Sequence, residues 1–128
     1  MQMNPIGWVE IPVNDLDRAE KFYKNYFGLE CDRQQEMDDG YTLSFFPMDR
    51  KVYGSAAALS KGPKAVPSHD GPLVYFTAPG GTVDAALQKA EEMGISIVVA
   101  KQDKGKHGFI AEIEDSEGNL IAIHSMDG

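Results

Sequence analysis

Apolar and polar positions alternate from Trp8 to Val13, with Val9, Ile11 and Val13 on one side and Trp8, Glu10 and Pro12 on the other. A period of two predicts a strand with two unlike faces. Asn14 and Asp15 follow, and their side-chain oxygens suit the free N–H groups at a helix start. Leu16, Ala19, Tyr23, Tyr26 and Phe27 then recur at helical spacing. This stripe reads as core, and Gly28 stands where a left-handed residue ends a helix.

The pattern continues with a short strand over Leu29 to Arg33 and a polar turn over Gln34 to Gly40. Tyr41 to Phe46 alternates again, with Tyr41, Leu43 and Phe45 opposite Thr42, Ser44 and Phe46. Pro47 to Arg50 breaks that strand. Val52 to Leu59 reads as another, because Gly54 and the preceding hairpin pattern outweigh the helix tolerance of its alanines. Ser60 to Pro72 holds three prolines and two glycines, which leaves little room for regular structure.

A second series begins at Leu73. Leu73 to Ala78 predicts a strand, Pro79 to Thr82 a turn with Thr82 as helix cap, and Val83, Ala86, Leu87, Ala90 and Met93 a helical stripe stopped by Gly94. Ile95 to Ala100 is a β-branched strand, and Lys101 to Gly108 a charged loop. Phe109 to Glu114 and Leu120 to Ser125 are strands joined by a turn at Asp115 to Asn119.

The two series match in order. Leu16, Ala19, Tyr23 and Tyr26 share their spacing with Val83, Ala86, Ala90 and Met93, and Asp17 falls on Asp84. Residues Gly40 to Phe45 align in pattern with Gly108 to Ile113. Each half is therefore β-α-β-β-β. This predicts one α+β domain over 1–128, with module 1 at about 4–60, a linker at about 61–72 and module 2 at about 73–126.

Charge narrows the partners. A formal net charge of −8 argues against nucleic acid and against an anionic membrane surface. No apolar run is long enough to span a bilayer, and the first residues lack the regions of a secretory signal. Cys31 is the single cysteine and fits a reducing compartment, so a cytoplasmic protein is expected. It reads as a small buried hydrophobe on its strand.

The opening stretch Glu10 to Glu30 and the closing Asp115 to Ser125, DSEGNLIAIHS, resemble the vicinal oxygen chelate superfamily. That group includes glyoxalase I, extradiol dioxygenases and the bleomycin- and fosfomycin-resistance proteins. The stretches Gly71 to Ala78, GPLVYFTA, and Gly108 to Asn119, GFIAEIEDSEGN, look like a bacterial branch of small glyoxalase-like proteins. The resemblance implies two βαβββ modules forming a curled mixed sheet around a cavity, and a homodimer. It also implies where a divalent metal would be held. The ligand positions here hold Trp8, Leu73 (with Tyr75 nearby) and Ala122, and the remaining one falls within Gly54 to Ala58. None offers a ligand side chain, so no metal or other cofactor is expected at that site.

Alternation divides the strands around the implied cavity. Val9, Ile11, Val13, Val74, Phe76, Ile121 and Ile123 are expected on the helices. Trp8, Glu10, Thr42, Ser44, Phe46, Tyr75, Thr77, Ile110, Glu112, Ala122 and His124 are expected on the cavity. Aromatic walls with a few polar groups suit a small organic molecule. Trp8, Ser44, Phe46, Tyr75, Glu112 and His107 are the candidate ligand contacts, His107 from a loop over the mouth. Glu10 and His124 are the candidate acid–base pair. The plainer alternative leaves Glu10, Glu112 and His124 as wet or hydrogen-bonded rim residues. A third makes them a surrogate metal site. His69 reads as an exposed linker residue, and Asp115 to Asn119 as a turn that sets strand register.

Three functions follow as expectations. The first is a metabolite- or drug-binding protein without the family's usual metal. The second is a lyase, isomerase or dioxygenase working through Glu10 and His124 or through a displaced metal. The third is an interaction module whose cavity is filled by Trp8, Phe46 and Tyr75.

Overall fold

The structure, a computed structural model, describes residues 5–34, 39–49 and 51–128. The expected start of module 1 at about residue 4, part of the expected turn over 34–40, and Arg50 lie outside them. The described chain runs β1 (Trp8–Pro12), α1 (Leu16–Phe27), β2 (Asp32–Arg33), β3 (Thr42–Phe45), β4 (Ala56–Lys61), β5 (Val74–Thr77), α2 (Val83–Glu92), β6 (Ile97–Asp103), β7 (Phe109–Glu114) and β8 (Leu120–Ser125).

Both helices start and stop where local chemistry directs. The Asp15 side chain accepts from the Arg18 N–H, and Thr82 accepts from Ala85 in the same way. Gly28 closes α1 at φ 74°, a left-handed angle that costs glycine little. Asp17 in the first turn of α1 pairs with Arg33, and its counterpart Asp84 in α2 pairs with Lys101. The repeat thus extends to one ion pair in each half.

The strands form two four-stranded sheets, β1-β4-β3-β2 and β5-β8-β7-β6. In each, the first strand pairs parallel with the last, and the others pair antiparallel. The α+β class and the two βαβββ modules are as the sequence predicts. The sheets are separate, and each leaves one face off the helices. Their other faces share one core with the helices, built from Ile11, Val13, Leu59, Tyr23, Tyr26, Val83, Ile113, Ile121 and Ile123.

Strand limits shift where pairing overrides local preference. β4 begins at Ala56 rather than Val52 and runs to Lys61, and β6 extends through Asp103 into the expected loop. No helix among the described residues is long and apolar enough to cross a membrane.

Polar contacts lock the modules together. Asp115 accepts the Tyr23 hydroxyl at 2.7 Å and the Asn119 side-chain amide at 3.0 Å. Asn119 also donates to the Pro12 carbonyl at 2.7 Å and accepts the Ser68 N–H at 3.2 Å. Tyr26 donates to the Ala86 carbonyl of α2. The turn at 115–119 therefore joins module 1, the linker and module 2, which is more than setting register.

Candidate functional site

Strand register determines which side chains share an open face. In the first sheet Glu10 lies opposite Ala58, and Ala58 opposite Phe45, so these three form one row. Trp8 stands two residues before Glu10 on the same side. Its indole N–H donates to the Glu10 carboxylate at 3.0 Å. Its ring meets Phe45 at 4.9 Å between centroids and a 58° tilt, within the range of favourable aromatic pairs. The indole stays 43% exposed. Beside this surface lies a cleft of about 320 Å³, with Glu10, Pro12, Tyr41, Ser60, Lys64 and Val66 in its lining. The linker folds against it, with the Lys64 N–H donating to the Tyr41 hydroxyl.

The second sheet repeats the row. Tyr75 lies opposite Ala122, and Ala122 opposite Glu112. Thr77, His124 and Ile110 form the next row. A cleft of about 390 Å³ here is lined by Tyr75, Lys104, His107, Ile110 and His124. His124 Nε2 lies 2.7 Å from the His107 carbonyl. A carbonyl only accepts, so this nitrogen carries the proton. Gly108, at φ 88°, brings the His107 turn onto β8. A Cβ there would collide with the Ser125 carbonyl oxygen and lie 3.1 Å from His124 Nε2.

Several expected placements change. Ser44 and Phe46 face the helices rather than an open face. Ser44 is fully buried and donates its hydroxyl to Glu20 of α1. Phe46 packs 5.2 Å from Tyr23 and 6.1 Å from Phe76, between centroids. The reason is a register slip of one residue. Pattern matching sets Thr42 against Ile110, whereas the ladders place Leu43 opposite Ser60 as Ile110 lies opposite His124. One residue of slip exchanges the two faces of a strand. Phe45 thereby joins Trp8, which pattern alone does not reveal.

Glu10 and His124 occupy different sheets and line different clefts, so one chain does not bring them together. Glu112 shares its face with Tyr75 but lies outside the lining of the cleft. His107 stands at the mouth of the second cleft, on its loop. The surrogate metal set is likewise divided between the sheets. Among the described residues no three His, Cys, Asp or Glu side chains gather as a metal site. Trp8, Leu73 and Ala122 present an indole and hydrocarbon, which do not fit a divalent ion.

The other candidates sit outside both clefts. His69 is exposed and pairs with Glu114 at 2.7 Å, which fastens the linker to β7. Cys31 is half-buried, and burial, followed by the nearby Glu20 charge, pushes its thiol up to about 11. Such a group is protonated at neutral pH and a poor nucleophile.

A family model described as the Glyoxalase/Bleomycin resistance protein/Dioxygenase superfamily matches residues 5–123. Among solved structures, the trypanothione-dependent glyoxalase I of Leishmania major is similar at 21% identity and a TM-score of 0.69, over 97% of this chain and 88% of that one. The antibiotic-binding protein TnmS3 from Streptomyces sp. CB03234 is similar at 20% identity and a TM-score of 0.65, over 98% of each chain. A glyoxalase I mutant from Zea mays reaches a TM-score of 0.71 at 20% identity, over 96% of this chain and 45% of that one. No curated protein matches the chain.

Proposed function

The chain belongs to the Glyoxalase/Bleomycin resistance protein/Dioxygenase superfamily, and on that footing we propose that it binds a small organic molecule without the family's usual metal. The observation that carries this reading is the surface of Trp8, Phe45 and Glu10. A large flat apolar ring stands at a position the resemblance assigns to a metal ligand, and its N–H is held by a carboxylate. Such a surface stacks on a planar molecule, and Glu10 adds an acceptor for a ligand donor. The similarity to an antibiotic-binding protein supports sequestration of a drug or metabolite as the form this takes. The separation of Glu10 from His124 favours binding over acid–base catalysis.

The reading includes a homodimer in a reducing, cytoplasmic setting. Trp8, Tyr75, Met48, Val52 and Tyr53 are exposed large hydrophobics, Tyr53 at 96%. Surfaces of this kind favour association, and open sheet edges add to it. A concentration-independent mass near 14.0 kDa in sedimentation equilibrium would contradict the dimer.

Trp8 is the single tryptophan, so its emission reports on the proposed surface alone. Planar metabolites and aromatic antibiotics are screened for quenching or a spectral shift. Trp8→Ala then weakens binding by about 1–3 kcal/mol, as for loss of a stacking platform. Binding that survives Trp8→Ala unchanged defeats the proposal.

A further inference from the structure

We propose that the cleft at His124 receives the carboxylate of a planar aromatic monoacid, as a second recognition site on the other sheet from Trp8. The net charge of the chain is −8, yet this cleft has no carboxylate in its lining. Its basic groups are Lys104, His107 and His124, and Tyr75 adds a phenol. Lys104 forms no ion pair among the described residues, while Lys101 on the neighbouring strand is occupied by Asp84.

Backbone hydrogen bonds fix the loop that carries Lys104 and His107. The Lys104 N–H donates to the Gly108 carbonyl at 2.8 Å, and the Lys104 carbonyl accepts from the His107 N–H at 3.2 Å. The loop is thus closed on itself, and Gly108 lets it lie against β8 where a side chain would collide. His124 is oriented through Nε2 to the His107 carbonyl. Its other ring nitrogen, Nδ1, has no protein partner among the described residues. Nδ1 is the ring nitrogen left to face a ligand, and Lys104 supplies the positive charge that pairs with an anion.

The rest of the cleft suits an aromatic body. The Tyr75 ring is 53% exposed, and Ile110 gives an apolar floor. A flat ring can lie on these two while its acid group meets Lys104 and His124. Glu112 limits the charge. It stands on the same face, across Ala122 from Tyr75, and repels a second anionic group at that end. A monocarboxylate is favoured over a dicarboxylate or a phosphate dianion.

The test titrates the full chain by calorimetry with 2-naphthoate and with 2-naphthamide, which has the same ring and no charge. The acid is expected to bind with a Kd of about 1 mM or tighter, and about tenfold more tightly than the amide. Lys104→Ala and His124→Gln each weaken the acid by about fivefold or more and leave the amide unchanged. Glu112→Gln tightens the acid. Lys104 and Glu112 lie on the surface or beside it, and circular dichroism checks that each variant is folded.

Equal affinity for acid and amide overturns the proposal. So does a failure of the acid to bind at millimolar concentration, or binding that ignores both Lys104→Ala and His124→Gln. If other planar compounds still shift Trp8 emission in those cases, the binding reading stands and only the anion subsite falls. If nothing shifts it, both fall.

Discussion

Glu117 accepts both guanidinium hydrogen bonds of Arg18 across 99 residues of chain, at 2.6 and 3.0 Å. The same carboxylate accepts the backbone N–H groups of Asn14 and Asp15 at 2.9 and 2.8 Å. Its side chain is fully buried, while Arg18 remains half-exposed. One carboxylate therefore fixes the β1–α1 turn of module 1 to the β7–β8 turn of module 2. Surface ion pairs contribute little, but a buried acceptor that satisfies two backbone donors is harder to replace.

Glu117→Ala should lower unfolding stability by about 2–3 kcal/mol, because the two N–H groups and the guanidinium lose a charged acceptor. Urea unfolding measures this. A change below about 0.5 kcal/mol would show that the clamp is dispensable.

The same group should contribute to acid sensitivity. Burial raises the Glu117 carboxyl, but hydrogen bonds from Arg18, Asp15, Asn14 and Ser116 outweigh it and hold the group below its ordinary 4.5. A carboxyl lowered on folding stabilises the folded state above its unfolded value, and that contribution is lost as pH falls through the folded value. The Tm gap between the natural chain and Glu117→Gln should therefore narrow as pH drops below about 4.5. A gap that stays constant from neutral to strongly acid pH would assign the effect to shape alone.

Neighbouring residues of β3 should behave differently. Ser44→Ala removes a buried hydroxyl bonded to Glu20 and costs about 1 kcal/mol, with Trp8 emission unchanged. Phe45→Ala removes the ring against Trp8 and shifts its emission, with weaker binding of any planar ligand found in the screen. Emission that responds to Ser44→Ala and not to Phe45→Ala would reverse the face assignment.

Cys31 should be slow toward thiol reagents. Its thiol rises from 9.0 to about 11, so at pH 8 the thiolate fraction is roughly a hundredfold lower than for a free cysteine. Iodoacetamide labelling in native buffer should lag labelling in denaturant by at least an order of magnitude. Equal rates would mean that the folded chain does not shelter it.

The parts of the molecule legible in the sequence are those set by neighbours along the chain. Asp15 and Thr82 cap their helices as read, because a cap and the N–H it accepts from lie within one turn. The apolar stripes of α1 and α2 are buried at Leu16, Ala19, Tyr23 and Tyr26, and at Val83, Ala86 and Ala90. β3 is harder. Leu43 and Phe45 on one side, and Phe46 just past its end on the other, put apolar residues on both sides, so alternation separates two sets without saying which turns inward. The start of β4 among alanines is blurred for a related reason, since alanine packs without marking a face. Glu117 is readable as part of a turn, but Arg18 and the Asn14 N–H come to it only through tertiary structure. The division of Glu10 from His124 likewise depends on two sheets sharing a core through their helices.

The rows Glu10–Ala58–Phe45 and Tyr75–Ala122–Glu112 occupy corresponding positions in the two sheets. Each has a small methyl at its centre, with one aromatic and one carboxylate at its ends in reversed order. The buried faces are committed to a common interior, so a change there is felt by both halves. The open rows carry no such obligation. A substitution at Phe45 leaves Tyr75 as it was, and one at Glu112 leaves Glu10 as it was. The chain can therefore retain recognition chemistry on one palm while the other is rewritten for a different molecule.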